Sequence, residues 1–194
     1  MLMAKGSGYL TQFFRDRKEV GAVAPSSKSL GRKICSFIDF DSSNVIVELG
    51  PGNGVFTKLL LERMNPDSKL IVFETNKTFC DMIATSIKDD RLVIINDSAE
   101  KVGKVAADLE ITDVDNIISS LPYTVFPKEV KNKILDECAS ILKPDGLYLQ
   151  FQYSLNALRL LKSKFNKVTY TFSLLNFPPA FVYRCQNLPE SKNN

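Results

Sequence analysis

The ten residues from Val45 to Gly54, Val-Ile-Val-Glu-Leu-Gly-Pro-Gly-Asn-Gly, leave this chain few folds to choose from. Three β-branched residues followed by Glu48 and Leu49 lack the polar alternation of a half-exposed strand, and so predict a parallel strand covered on both faces. Gly50, Gly52 and Gly54 then predict a turn whose backbone takes positive φ and approaches a ligand with no Cβ in the way. Phe56 to Met64 follows with good helix formers at helical spacing. Strand, glycine turn and helix predict the first crossover of a nucleotide-binding α/β sheet, although a glycine turn alone would serve any α/β domain. The next apolar run, Lys69 to Phe73, ends at Glu74, 20 residues past Gly54. A carboxylate at that place accepts hydrogen bonds from both ribose hydroxyls of a bound nucleoside.

Val55 stands where a dinucleotide-binding Gly-x-Gly-x-x-Gly turn has its third glycine. The Gly-x-Gly-x-Gly pattern preceded by Glu48 instead resembles motif I of class I S-adenosylmethionine-dependent methyltransferases. The resemblance implies S-adenosylmethionine as cofactor, with Glu48, Gly50, Gly52 and Gly54 around its methionine part and Glu74 on its ribose. It also implies an α/β fold, a Rossmann-like seven-stranded sheet with helices on both faces.

Length and composition fit that reading. With 194 residues, 44% of them hydrophobic and 24% charged, the chain is sized for one compact domain and is too short for a dehydrogenase's separate substrate domain. A net charge of +3 is only mildly basic and leaves nucleic acid, anionic lipid and small molecules open as partners. The four cysteines are scattered, with no Cys-x-x-Cys pair, and there is no histidine. That composition excludes Ser-His and Cys-His nucleophile schemes, and it predicts reduced structural thiols and no metal site. No signal peptide or membrane-spanning run is apparent, so the expectation is a cytoplasmic protein, either free or peripheral on the inner face of the membrane.

Taken in order, residues Tyr9 to Val20 place Tyr9/Phe13 and Leu10/Phe14 at i, i+4 beside Arg15, Arg17 and Lys18. Such an amphipathic helix either docks on its own domain or lies at a lipid interface with its basic residues on anionic headgroups. Gly21 to Ser27 reads as a small-residue loop, non-helical through Pro25, in which Ser26 and Ser27 are candidate cofactor contacts. An amphipathic helix is predicted over Ser29 to Ile38. After Glu74, a helix leads to a third strand, Arg91 to Ile95, ending at Asn96-Asp97-Ser98. There Asp97 is the candidate for the adenine amino group, with Ser98 beside it. A fourth strand, Asp115 to Ile118, ends in Ser119-Ser120-Leu121-Pro122-Tyr123. The helix Lys128 to Leu142 and a turn at Lys143-Pro144-Asp145-Gly146 precede a fifth strand, Leu147 to Tyr153. A last helix and a hairpin, Lys167 to Leu175 and Phe181 to Cys185, supply the antiparallel edge. The domain reading is residues 1–28 as the N-terminal helix and covering loop, 29–188 as the methyltransferase domain and 189–194 as a polar tail.

Ligands of open α/β sheets lie beyond the carboxyl ends of the strands, so Ser119 to Tyr123 is expected at the transferred methyl group, with Ser119 on the cofactor side. The segment resembles the Asn-Leu-Pro-Tyr motif of ribosomal RNA adenine dimethyltransferases, with Ser120 in the place of the Asn. Serine offers one hydroxyl where a carboxamide would pair with an adenine amine. Other pieces resemble the soluble bacterial phospholipid N-methyltransferases that act on phosphatidylethanolamine. They are Gly21 to Ser27, Val47 to Thr57, Ser120-Leu121-Pro122, Gln150 to Tyr153 and Asn176 to Ala180. This resemblance implies a phospholipid substrate met at a membrane surface, with no stable nucleic-acid binding. The residues expected to orient its amine are the Leu121 carbonyl and the hydroxyls of Ser120, Tyr123 and Tyr153, with the proton leaving to water. The rings of Tyr123, Phe126 and Tyr153 would favour cationic methylated products. An RNA adenine methyltransferase and a non-catalytic cofactor-binding protein are the alternatives.

Overall fold

The computed structural model describes residues 25–173 and 179–187, with side chains from Lys28 onward. The expected N-terminal helix, most of its loop, Asn176 to Pro178 and the polar tail lie outside the described residues. In chain order the elements are α1 (Pro25–Cys35), β1 (Val45–Leu49), α2 (Val55–Leu61), β2 (Lys69–Phe73), α3 (Lys77–Ser86) and β3 (Leu92–Ile95). A 3₁₀ turn (Ala99–Lys101), α4 (Val102–Asp108), β4 (Val114–Ser119), α5 (Lys128–Ile141) and β5 (Leu142–Gln152) follow. A second 3₁₀ turn (Leu155–Ala157), α6 (Leu158–Lys162), β6 (Lys167–Ser173) and β7 (Ala180–Gln186) close the described chain.

The strands form one seven-stranded sheet in the order β3-β2-β1-β4-β5-β7-β6. β3, β2, β1, β4 and β5 run parallel, and β7 is antiparallel to both β5 and β6. Parallel neighbours require helical crossovers, which cover both faces and explain why the central strands read as unbroken apolar runs. Alternation along β1 divides the core. Ile46 packs with Leu70, Val72, Ile118 and Leu149 beneath α1 and α2. Val47 and Leu49 pack with Ile71, Phe73 and Ile117 beneath α4, α5 and α6.

Two boundaries differ from expectation. The first helix begins at Pro25 rather than after it, because proline at the first helical position loses no hydrogen bond the helix would have made. Ser26 and Ser27 therefore belong to the first turn of α1 and not to a loop. The Lys143–Gly146 turn is absorbed into β5, whose pairing with β4 jumps from Val114↔Leu142 to Asn116↔Leu147. A Cβ on Gly146 would stand 2.9 Å from the Asp115 carbonyl oxygen, so the close passage of β4 needs glycine there. Asp115 also accepts the backbone N–H groups of Asn44 and Val45, each at 2.8 Å, and pairs with Lys143. One carboxylate thus pins β1, β4 and β5 together at the amino edge of the sheet, away from the glycine turn.

Candidate active site

At the opposite edge the ladders run past the strand ends. The Gly50 N–H donates to the Phe73 carbonyl at 2.9 Å, Glu74 N–H to Ile95 at 3.0 Å, and Ser120 N–H to Leu49 at 2.9 Å. These bonds hold the glycine turn, Glu74 and the Ser119–Leu121 segment in one row. Gly50, Gly52 and Gly54 have φ of 73°, 56° and 78°, as the turn demands. A Cβ on Gly50 would meet Leu121 Cδ2 at 3.0 Å, so the cofactor turn and the end of β4 are in direct contact.

Glu74 is 2% exposed, and its carboxylate accepts from the Asn76 N–H at 2.8 Å and the Gly52 N–H at 3.2 Å. Burial raises its pKa, against the lowering effect of those N–H donors. Glu48 points into the core beneath α2. One oxygen accepts from Thr57 Oγ1 at 2.7 Å; the other, Oε1, is buried without a partner. Burial pushes the Glu48 carboxyl up to about 8, the Thr57 hydroxyl lowers it, and the nearby Glu74 raises it. An orphaned carboxylate oxygen, a glycine turn held at positive φ and a second buried carboxylate fit a ligand that brings an ammonium group and ribose hydroxyls.

The structure revises several sequence-based assignments. Tyr123 is buried, with its hydroxyl against that of Tyr148, so its oxygen is turned into the core and away from an incoming amine. The Leu121 carbonyl accepts from Gln150 Nε2 at 3.1 Å and from Gln152 Nε2 at 3.0 Å. Both its lone pairs are taken, and it cannot serve as the amine acceptor expected of it. Gln150 Oε1 in turn accepts from Tyr148, so one buried chain of hydrogen bonds links Tyr123, Tyr148, Gln150, Leu121 and Gln152. Phe126 belongs to the same core, tilted against Tyr123 at 6.4 Å. Asp97 sits at the end of β3 as expected, but its oxygens accept from the Ser98 N–H and from Lys101, which holds its pKa low. Ser98 itself caps the following 3₁₀ turn.

Ser119 is fully buried and Ser120 half-buried at the tip of β4. Tyr153, edge-on to Phe151, lies on the α1–α2 side of the sheet and Tyr123 on the other, so the two tyrosines are not brought together. Thr57, Tyr148, Gln150 and Gln152 are partners to which the sequence assigned no role, although Thr57, Gln150 and Gln152 stand in segments that resemble the phospholipid enzymes. The signal available for the glutamines was their alternation, two amides two residues apart in an otherwise apolar strand.

Known proteins can now be set beside this geometry. A family model described as a methyltransferase domain matches residues 46–146, from within β1 to the β5 bulge. The chain belongs to this methyltransferase family. Its cofactor is S-adenosylmethionine. The methyltransferase is 28% identical over 185 residues to the ornithine lipid N-methyltransferase of Singulisphaera acidiphila, covering 94% of this chain and 96% of that protein. It is 27% identical over 123 residues to the ribosomal RNA small subunit methyltransferase A of a Hydrogenobaculum species. That match covers 63% of this chain and 45% of the relative, so the chain spans less than half of it. Human methyltransferase-like protein 13, solved in complex with SAH, shares the fold with a TM-score of 0.65 at 16% identity, over 88% of this chain and 86% of that one. Among the described residues, no helix is long and apolar enough to cross a membrane.

Proposed function

We propose that this methyltransferase transfers the methyl group to the amine of a membrane amino lipid, phosphatidylethanolamine or a relative of it such as ornithine lipid. The observation that carries the reading is a match to the ornithine lipid enzyme that runs nearly the full length of both chains, whereas the ribosomal RNA relatives match only part of theirs.

When bound, S-adenosylmethionine supplies a methyl group made electrophilic by the adjoining sulfonium. The chain's own contribution is alignment, since an in-line displacement gains most from fixing the two reactants in place. Glu74 would hold the ribose hydroxyls. The backbone of Gly50 to Gly54 lies along the methionine part, and Glu48 offers its unpaired oxygen toward the ammonium end. Asp97 and Ser98, at the carboxyl end of β3, would border the adenine. Ser120 and Tyr153 present hydroxyls to the acceptor, which must be an uncharged amine to attack. A hydroxyl oxygen accepts one amine N–H and turns the nitrogen lone pair toward the methyl group. With no histidine in the chain, the released proton passes to water.

The test is transfer of isotope-labelled methyl from S-adenosylmethionine with vesicles containing phosphatidylethanolamine and ornithine lipid, and total RNA, in one reaction. Label in the lipid fraction is expected, and Ser120→Ala should lower it about tenfold or more. Label in RNA would overturn the lipid reading in favour of the second one, which the partial ribosomal RNA match favours. Cofactor binding without transfer to either would leave the sheet as a binding module.

A further inference from the structure

The chain's charge is distributed unevenly. From Gly146 to Pro189 there is no Asp or Glu, and the cations are Arg159, Lys162, Lys164, Lys167 and Arg184. The net charge of +3 for the whole molecule thus arises from a segment of +5 against −2 for the remainder. Two of these cations are engaged elsewhere: Lys164 with Asp136 at 2.6 Å, and Arg184 over the Phe37 ring at 4.7 Å. Arg159, Lys162 and Lys167 are exposed, on α6 and at the start of β6, and α6 packs beside that strand.

The same region carries the largest exposed aromatics among the described residues. Tyr170 is 46% exposed and Phe172 50% exposed, both on β6, the outermost strand of the sheet. They stand on one face with Phe181 of β7, at ring distances of 6.0 and 4.8 Å. Leu155, 41% exposed, projects from the loop that follows β5. Edge strands are ordinarily blunted by charge or cover, and a bare aromatic pair there calls for a partner.

Its position relates it to the site. Phe172 is paired with Phe181, and Phe181 with Gln152, whose amide holds the Leu121 carbonyl. Two strand spacings, about 10 Å, separate the exposed ring from the acceptor edge. Aromatic rings favour the level of lipid headgroups, and cations beside them are drawn to anionic lipid.

We infer that the outer face of β6 and β7, with Arg159, Lys162 and Lys167 around it, docks on an anionic bilayer and presents the acceptor edge to lipid headgroups. This surface is separate from the N-terminal helix expected from the sequence, and its role in catalysis rests on the lipid reading above.

The experiment pairs two readouts on the full chain. The first is co-sedimentation with phosphatidylcholine vesicles made with and without phosphatidylglycerol. The second is methyl transfer to short-chain phosphatidylethanolamine and short-chain ornithine lipid, both kept monomeric in water. The wild type should sediment with the anionic vesicles, less so as salt is raised. Tyr170→Ser with Phe172→Ser should weaken the association roughly tenfold or more, since each removes a ring from the lipid interface. Arg159→Glu with Lys162→Glu, which leaves the aromatic pair in place, should weaken it as well. Transfer to the soluble lipid should persist in all of them.

Vesicle binding unchanged in both double variants would overturn the docking face. So would a wild-type dimer in sedimentation velocity that Tyr170→Ser with Phe172→Ser splits, for then a second copy covers these rings. Vesicle binding lost in the variants, with no transfer to soluble lipid by the wild type, would sustain the docking face and refute the lipid-methylating reading instead.

Discussion

Glu48 is a carboxyl group sealed from water with one hydroxyl for company, and it has a measurable pH signature. Its folded-state pKa of about 8 lies above the ordinary 4.5, so between those values the folded chain holds a proton that the unfolded chain has released. The stability this provides is complete below pH 4.5 and is lost as pH rises through about 8. In the cofactor-free protein the melting midpoint should therefore fall across that window, and Glu48→Gln should flatten the curve. Each kcal/mol recovered is worth ~2 to 4 °C in a chain of this size. Parallel wild-type and variant curves in a thermal melt would mean that water reaches the carboxylate. The same burial quietens the thiols: all four cysteines are unpaired and buried, and loss of solvation raises Cys35 to about 11 and Cys138 and Cys185 further.

Among the elements, β4 and β5 decide the shape of the acceptor edge. Gln150 lies at the middle of the buried network, donating to the Leu121 carbonyl and the Phe151 carbonyl while accepting from Tyr148. Gln150→Leu keeps the apolar volume but takes the side-chain donor from the buried Phe151 carbonyl, one of three donors from the Leu121 carbonyl and one of two partners from the Tyr148 hydroxyl. The expected loss is ~1 to 3 kcal/mol of stability. A fall in kcat with little change in KM for the cofactor should accompany it, because the cofactor turn belongs to other strands. A melt and steady-state kinetics read the two effects. Here lies the limit of what sequence reveals. The Val45–Gly54 motif and Glu74 announce themselves because a tight turn and a ribose acceptor each demand a particular residue type. Where the Tyr123 hydroxyl points, or what fills the Leu121 carbonyl, depends on β5, whose pairing with β4 is not written in either strand alone. Gly146 shows the same thing, since its turn chemistry was legible but the bulge that houses it arises from tertiary pairing.

At the scale of the whole molecule, the cofactor half and the acceptor half are joined through β1 and β4. A ligand held by Glu74, the glycine turn and Glu48 should stabilise the whole sheet. At a concentration near 100 times its Kd, S-adenosylmethionine should add about 2.7 kcal/mol. Glu74→Ala should remove most of that shift in a thermal melt, and it should also lower the cofactor-free midpoint, because the Asn76 and Gly52 N–H groups lose their acceptor. A shift retained in the variant would remove Glu74 from the ribose. The fold class and helices on both faces follow from apolar runs alternating with helical spacing, and the seven-stranded sheet bears this out. The strand order also has a consequence for synthesis. β1 lies between β2 and β4, so the chain leaving the ribosome can pair β1 with β2 early but must wait for β4 to complete the central ladder. Gln150 and Gln152 emerge later still. A nascent chain stalled before them would own every strand that binds the cofactor, yet its Leu121 carbonyl would have neither amide to hold it, and the acceptor edge would remain unbuilt.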